Sequence, residues 1–375
     1  MKFVIAIDSF KGSIGGIEAS RAAEEAVKSV FSDAETIIIP VADGGEGTAD
    51  AYYLAFGGRK ERVTVTSPDF SEVVAEYAVL PDNTAVIEMA AASGITLVKG
   101  EKNAGEATSL GTGELIRDAL KKGCRNFIIG LGGSATNDGG VGALSALGVR
   151  FLNKQASPIR PNGNGLEELF SIELNGMLPE LKESSFIIAC DVENTLCGKE
   201  GATLVYGAQK GADAADRVRL DNNLKHFSDI VKACSGRDIL SIKGGGAAGG
   251  MCAGLMGFLN ARTQSGIKLL LEKIDFDLIV RDADFVLSGE GKADSQTAYG
   301  KVISGIGEYT SKYNKPFIVV AGQLEDGYQT ILDRGVSAAF CTAHYSRPFE
   351  EIKHRAEKDL FDTVKNICNL IKAAK

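Results

Sequence analysis

A chain of 375 residues, 44% hydrophobic and 24% charged, is longer than the roughly 100–200 residues of one ordinary domain and too apolar to be mainly disordered, so two globular domains are expected. A net charge of −8, with no stretch dense in Lys and Arg, excludes nucleic acid as the expected partner, because a phosphodiester backbone is held by clustered cations. No apolar run reaches the ~18 residues of a spanning helix, the opening MKFVIAIDSF reads as a buried strand, and seven cysteines without zinc-site spacing read as free thiols; a cytoplasmic protein with no membrane partner is expected.

Short runs rich in Val and Ile alternate with amphipathic stretches along the chain. The predicted elements begin with a strand at 3–7, a helix at 17–31 and a strand at 36–39. Three short strands then follow without helices between them, at 63–66, 74–80 and 85–89, separated by Pro-Asp and Pro-Asp-Asn turns. That segment predicts a local antiparallel region. Alternation resumes with a helix at 113–122, a strand at 127–129, a helix at 141–147, a strand at 186–189 and a helix at 215–234. The last elements are a strand at 285–287, a helix at 303–313, a strand at 317–320 and a helix at 349–372. The pattern is that of βαβ units, so the fold class is α/β with mostly parallel sheets. A style that changes near 60 and returns near 283 predicts one α/β domain, 1–60 plus 283–375, interrupted by a second, 61–282. The active site is then expected in the interdomain cleft, near the carboxyl ends of parallel strands.

The 45 glycines, against 8 prolines, gather in runs that predict backbone brought close to a ligand. Asp8-Ser9-Phe10-Lys11-Gly12-Ser13 follows the first strand; Lys11 there can neutralise a phosphate or a carboxylate, while Ser9 and Ser13 can donate hydrogen bonds, and Ser13 reads equally as a helix cap. Asp43-Gly44-Gly45-Glu46 offers two carboxylates to a hard cation such as Mg²⁺, although Glu46 also reads as a first-turn helix charge. Gly132-Gly133-Ser134-Ala135-Thr136-Asn137-Asp138-Gly139-Gly140 has the amides and hydroxyls of a phosphate cradle at a helix start, with Asn137 and Asp138 able to meet a metal or hydroxyl groups. Asp191, at a strand end beside Asn194, reads as a general base, a metal ligand or an Asx turn. Lys210 lies in a Gly-flanked turn, and Glu290, Lys292, Asp294 and Gln296 crowd the segment expected to follow the strand at 285–287.

No Gly-Lys-Ser/Thr closes a Walker A loop, and the acidic partner of a dinucleotide fingerprint is missing. The three histidines do not form a Ser-His-acid arrangement. Oxygen ligands, lysines and glycine cradles suit phosphoryl transfer, in which positioning and charge neutralisation supply most of the catalysis.

The blocks DSFKGS, ADGGEGT, EMAAASG, GTGELI, GGSATNDGG, ACDVEN, QKGA, GGGAAGG and GEGKADSQT, in this order between residues 8 and 297, resemble the signature blocks of the bacterial-type glycerate kinases. Ile7 and Ala208 stand where many relatives carry proline, and neither change removes a polar group. The resemblance implies a flavodoxin/Rossmann-like parallel domain interrupted by a second one, and ATP-dependent phosphorylation of D-glycerate to 2-phosphoglycerate with Mg²⁺. On that reading Lys11 meets the glycerate carboxylate, Asp191 accepts the hydroxyl proton, and Asp8 completes the catalytic set. Ser9, Ser134, Thr136, Asn137, Asp138, Asn194, Lys210, Lys292, Asp294 and Gln296 are expected to bind substrate or phosphate, and Asp43, Glu46 and Glu290 to hold the metal. The alternatives are a kinase of another small hydroxy acid or a sensor without turnover, and oligomeric assembly is left open.

Overall fold

The computed structural model describes residues 1–298 and 302–374, the side chain of Gln296 excepted. They form two compact units, Met1–Asp43 with Ile267–Lys375, and Gly44–Gly266. The first unit opens with β1 (Lys2–Ile7), whose residues Phe3 to Ile7 are all buried. Apolar side chains on both faces mark a central parallel strand. In α1 (Gly16–Val30) Ala19, Ala22, Ala23, Ala26 and Val27 recur every three or four residues and make one buried stripe. β2 (Glu35–Ile38) then pairs parallel to β1.

The second unit starts with α2 (Thr48–Phe56), followed by β3 (Arg59–Thr66), β4 (Glu72–Val79) and β5 (Thr84–Glu88). β3 and β4 pair antiparallel, as do β4 and β5, so the expected antiparallel region is present. α3 (Leu110–Lys121) crosses over to β6 (Asn126–Gly130), which runs parallel to β5. After α4 (Val141–Ala146), β7 (Arg150–Leu152) and β8 (Ser171–Glu173) make a separate antiparallel ribbon. β9 (Ser185–Ala189), α5 (Ala214–Ser235), α6 (Met251–Phe258) and β10 (Ala261–Gln264) complete the unit, whose large sheet has the order β10-β9-β6-β5-β4-β3. α5 is bounded by local chemistry: Asp213 accepts the Asp216 amide at 2.8 Å at its start, and Gly236 takes a left-handed turn at its end. Phe127 of β6 stacks on Phe186 of β9 with ring centroids 4.6 Å apart in the core.

The chain returns to the first unit at Ile267, and after two short helices come β11 (Phe285–Ala293), α7 (Val302–Lys312), β12 (Phe317–Leu324), β13 (Ala338–Cys341), α8 (Phe349–Ile352) and α9 (Ala356–Ala373). All pairings in this sheet are parallel and the order is β13-β12-β11-β1-β2. Counted within the unit this is 2-1-3-4-5, the flavodoxin-like order. Leu360, Val364, Ile367 and Cys368 of α9 close the core against the alanine stripe of α1. Each fully buried Leu or Val contributes about 1.5–3 kcal/mol.

The two largest departures from the predicted elements lie in the first unit. The strand expected to stop at 287 continues to Ala293, with Glu290 opposite Ala321 and Lys292 opposite Gln323. Glycine-rich, charged SGEGK is a poor strand by composition, yet a side chain on Gly289 would stand 2.2 Å from the Val320 carbonyl oxygen, so glycine is what lets the two strands meet there. The helix expected at 349–372 is broken by a 3₁₀ turn at Lys353–Arg355. There the Lys353 carbonyl accepts the Ser13 hydroxyl at 2.9 Å.

Candidate active site

In the first unit the strand order reverses between β1 and β11, and the carboxyl ends of parallel strands at such a point are where open α/β sheets bind ligands. A cavity of about 370 Å³ lies there. Its walls come from the loop after β1, the end of β11, the ends of β12 and β13, and the C-terminal segment from α8 into α9. The 8–13 loop is folded back on itself, the Phe10 amide donating to the Ile14 carbonyl at 2.9 Å and the Ser13 amide to the Phe10 carbonyl at 2.9 Å. Ser13 does not cap α1, whose N-cap is Gly15. The exposed Lys11 and the half-buried Asp8 and Ser9 line the cavity.

Asp8, Asp43 and Glu290 line this one cavity. The Asp8 carboxyl is pushed up to about 7, first by burial and then by the charge of Asp43, with Glu290 adding to it; the Ser9 amide, 2.7 Å from Oδ1, and the Lys11 ammonium pull the other way. A pKa of about 7 in the folded chain, against the ordinary 3.8, means that folding takes up a proton between those values. Stability is therefore expected to fall as pH rises from about 4 to 7, and Asp8→Asn to flatten that slope, both read from thermal melts in EDTA. Crowded carboxylates of this kind suit a hard divalent cation, whose charge relieves their repulsion. Among the described residues no three His, Cys, Asp or Glu groups stand together as a metal cage.

Lys292 and Asp294 also line the cavity, where Lys292 pairs with Glu325 at 2.9 Å and with Asp294 at 3.9 Å. The side chain of Gln296 lies outside the described residues. Gln323, Thr342, Phe349 and Asp359 are cavity residues that sequence reasoning missed. Gln323 and Thr342 were findable, since they stand at the ends of predicted or recognisable parallel strands. Phe349 and Asp359 were not, because they sit in a helical segment that carries no motif.

The second unit gathers the remaining motifs at the ends of β5, β6 and β9. The Gly132 amide donates to the Gly44 carbonyl at 3.3 Å, the Gly139 amide to the Gly249 carbonyl at 3.0 Å, and the Gly246 amide to the Asn194 carbonyl at 2.9 Å. A side chain on Gly132 would lie 2.5 Å from the Gly45 Cα, and one on Gly249 2.1 Å from the Thr136 carbonyl oxygen. These glycines bring backbone to backbone, whereas their runs predicted backbone approaching a ligand. Glu46 belongs to this unit and lies near Glu88, whose Oε1 accepts the Ala49 amide at 2.7 Å near the start of α2. Burial pushes the Glu88 carboxyl up. Its EMAAASG block marked the segment, but not this tie.

Several of the predicted ligand residues here have internal partners. The Asp138 carboxylate is fully buried and accepts the Ser109 amide and hydroxyl and the amides of Gly140 and Gly142. The Asn137 amide is buried against the Thr203 hydroxyl at 3.0 Å, and Thr136 donates to the Ala248 carbonyl at 3.4 Å. Asn194 is held by the Glu200 carbonyl and the Tyr206 hydroxyl, each at 2.7 Å. Ser134 is the accessible hydroxyl of the loop, while Asp191, half-buried, follows β9 in the strand-end position expected of it.

Lys210 is buried beneath that loop and donates to the Ser134 hydroxyl at 2.7 Å and to the Thr136 carbonyl at 2.8 Å. Burial drives its ammonium down to about 8 from 10.5, with Asp138 pulling it back up. Below pH 8 both folded and unfolded chains carry the proton and the full cost of the buried charge is present. As pH rises from about 8 to 10.5 the unfolded chain alone holds it, so stability is expected to increase, by about 3 kcal/mol if this group acted alone. Lys210→Met is expected to abolish that rise in urea titrations taken between pH 8 and 10.

The model of the glycerate kinase family matches residues 3–372. The glycerate kinase of Bacillus subtilis (strain 168) is 43% identical over 377 residues, covering 100% of this chain and 99% of that protein. The glycerate 2-kinase of Escherichia coli (strain K12) is 43% identical over 91% of this chain and 90% of its own length. A crystal structure assigned to glycerate kinase 2 of Salmonella typhimurium LT2 superposes with a TM-score of 0.88 at 41% identity, over 100% of this chain and 99% of that one.

Proposed function

Because the chain belongs to the glycerate kinase family, we propose that it transfers the terminal phosphoryl group of ATP to D-glycerate, giving 2-phosphoglycerate. The observation that supports the reading in this chain is the cavity at the β1/β11 reversal, where Lys11 faces the carboxylates Asp8, Asp43 and Glu290. Phosphoryl transfer needs this balance of charge, since the reacting groups are anionic and catalysis is mostly positioning and neutralisation. Asp43 and Glu290, which line the cavity, would hold magnesium, and the ion would neutralise phosphate charge when bound. Lys11 neutralises a carboxylate or phosphate oxygen, its stem following a loop whose backbone is internally bonded. Ser134, backed by the Lys210 ammonium, presents a polarised hydroxyl to a ligand oxygen. Asp191 takes the proton from the attacking hydroxyl, leaving the oxygen free to bond phosphorus.

The test is ADP release from Mg²⁺-ATP in the presence of D-glycerate, with the product identified by phosphorus NMR. A 2-phosphoglycerate resonance is expected. The 3-phospho isomer would overturn the regiochemistry, turnover only with another hydroxy acid would discard glycerate, and ATP binding without turnover on any of them would favour a sensor. No helix among the described residues is long and apolar enough to cross a membrane.

A further inference from the structure

We infer that the cavity of the first unit is the nucleotide subsite, with the base seated against Phe349 and Ile352 and the phosphates directed toward Lys11. This rests on the kinase reading and goes beyond it by saying which ligand the cavity takes.

The cavity measures about 370 Å³, within the range of sites that enclose drug-sized ligands and far more than a three-carbon hydroxy acid fills. Its lining differs in chemistry from segment to segment. The loops and strand ends supply Asp8, Asp43, Glu290, Lys11 and Lys292; the C-terminal segment supplies the apolar Phe349, Ile352 and Ala356 beside Lys353 and Asp359. Every carbon of glycerate bears oxygen, so that acid has no group to place on an apolar wall. A purine has a flat apolar face and polar edges. Phe349 supplies a ring for the face: it remains 48% exposed although its ring lies against the 8–13 loop, 3.6 Å from where a side chain on Gly12 would be. Thr342 and Asp359, both buried polar residues lining the same cavity, supply hydrogen-bonding groups for the edges. Asp359 is held in place by Arg355 at 3.2 Å, and the segment itself by the bond from Ser13 to the Lys353 carbonyl. The Lys11 loop and the apolar wall are thus fastened to each other, as the two ends of one elongated ligand require.

The inference is tested by calorimetric titration of the full chain with ADP and Mg²⁺, without glycerate. Phe349→Ala is expected to weaken ADP binding about 10-fold, the usual scale for losing an aromatic ring stacked on a base. Phe349→Tyr, which keeps the ring, should stay within about two-fold of the parent, and both should melt near the parent temperature because the side chain is half exposed. In turnover assays Phe349→Ala is expected to raise KM for ATP and leave KM for glycerate within two-fold. An unchanged ADP affinity in Phe349→Ala, or a rise in KM for glycerate alone, overturns the inference. If ADP binding depends on Phe349 but D-glycerate is not turned over, the subsite stands and the substrate assignment falls.

Discussion

Asp191→Asn is expected to lower kcat by about 10²-fold or more, the usual worth of a positioned general base, with little change in KM for either substrate. The side chain follows β9, whose core residues Phe186, Ile188 and Ala189 are buried, so its backbone stands on a rigid strand end. Asparagine keeps the shape and can accept a hydrogen bond, but it cannot take a proton, so the loss should fall on the chemical step. A group acting only in the transition state lowers kcat and kcat/KM together, and rapid-quench single turnovers separate that outcome from slowed product release. Turnover within threefold of the parent would remove Asp191 from the base role, and a rise in KM for glycerate alone would make it a binding residue.

Asp138→Ala is expected to destabilise the second unit by about 3–5 kcal/mol, a large fraction of the 5–15 kcal/mol that holds an ordinary domain folded. The carboxylate stands between two helix starts. It accepts the amide and hydroxyl of Ser109 at 2.9 and 2.7 Å just before α3, and the amides of Gly140 and Gly142 at 3.0 and 3.3 Å where α4 begins. Burial raises its pKa and these bonds lower it, with the upward effect prevailing. Truncation strands up to four buried donors with no acceptor, and each such group costs about 1–3 kcal/mol before relaxation. The measurement is urea unfolding, in which the midpoint should fall at nearly constant slope. A loss below about 1 kcal/mol would mean that the loop repacks or admits water, and that Asp138 does not organise it.

Much of this architecture was legible in local patterns. The buried run 3–7 became β1, and the Ala-rich three-and-four spacing of 17–31 became the inward stripe of α1. The strands between Pro-Asp turns became the β3-β4-β5 meander. Such elements are decided by neighbours in sequence: side-chain periodicity states which face is buried, and turn residues state where the chain reverses. Motif order identified the family for the same reason, since its polar and glycine residues occur in contiguous blocks.

What the sequence alone determined, then, was the class of fold, the family and the segments in which polar groups cluster; the work of individual residues was decided by tertiary structure. Asp138, Asn137 and Thr136 read as ligand residues because they are polar and lie in a glycine loop, yet their partners Ser109, Thr203 and Ala248 are distant in sequence. SGEGKA became strand because β12 pairs along it to Ala293 and β1 pairs with its first two residues, overriding the low strand propensity of glycine. α2 packs on β4 and β5 and so belongs to the second unit, a matter of contact that no boundary residue announces. Phe349 and Asp359 carry no motif and reach the cavity only because α9 folds back on α1. Periodicity and turn chemistry act over a few residues, whereas burial, hydrogen-bond pairing and cavity walls depend on segments hundreds of residues apart, and only the folded chain brings those together.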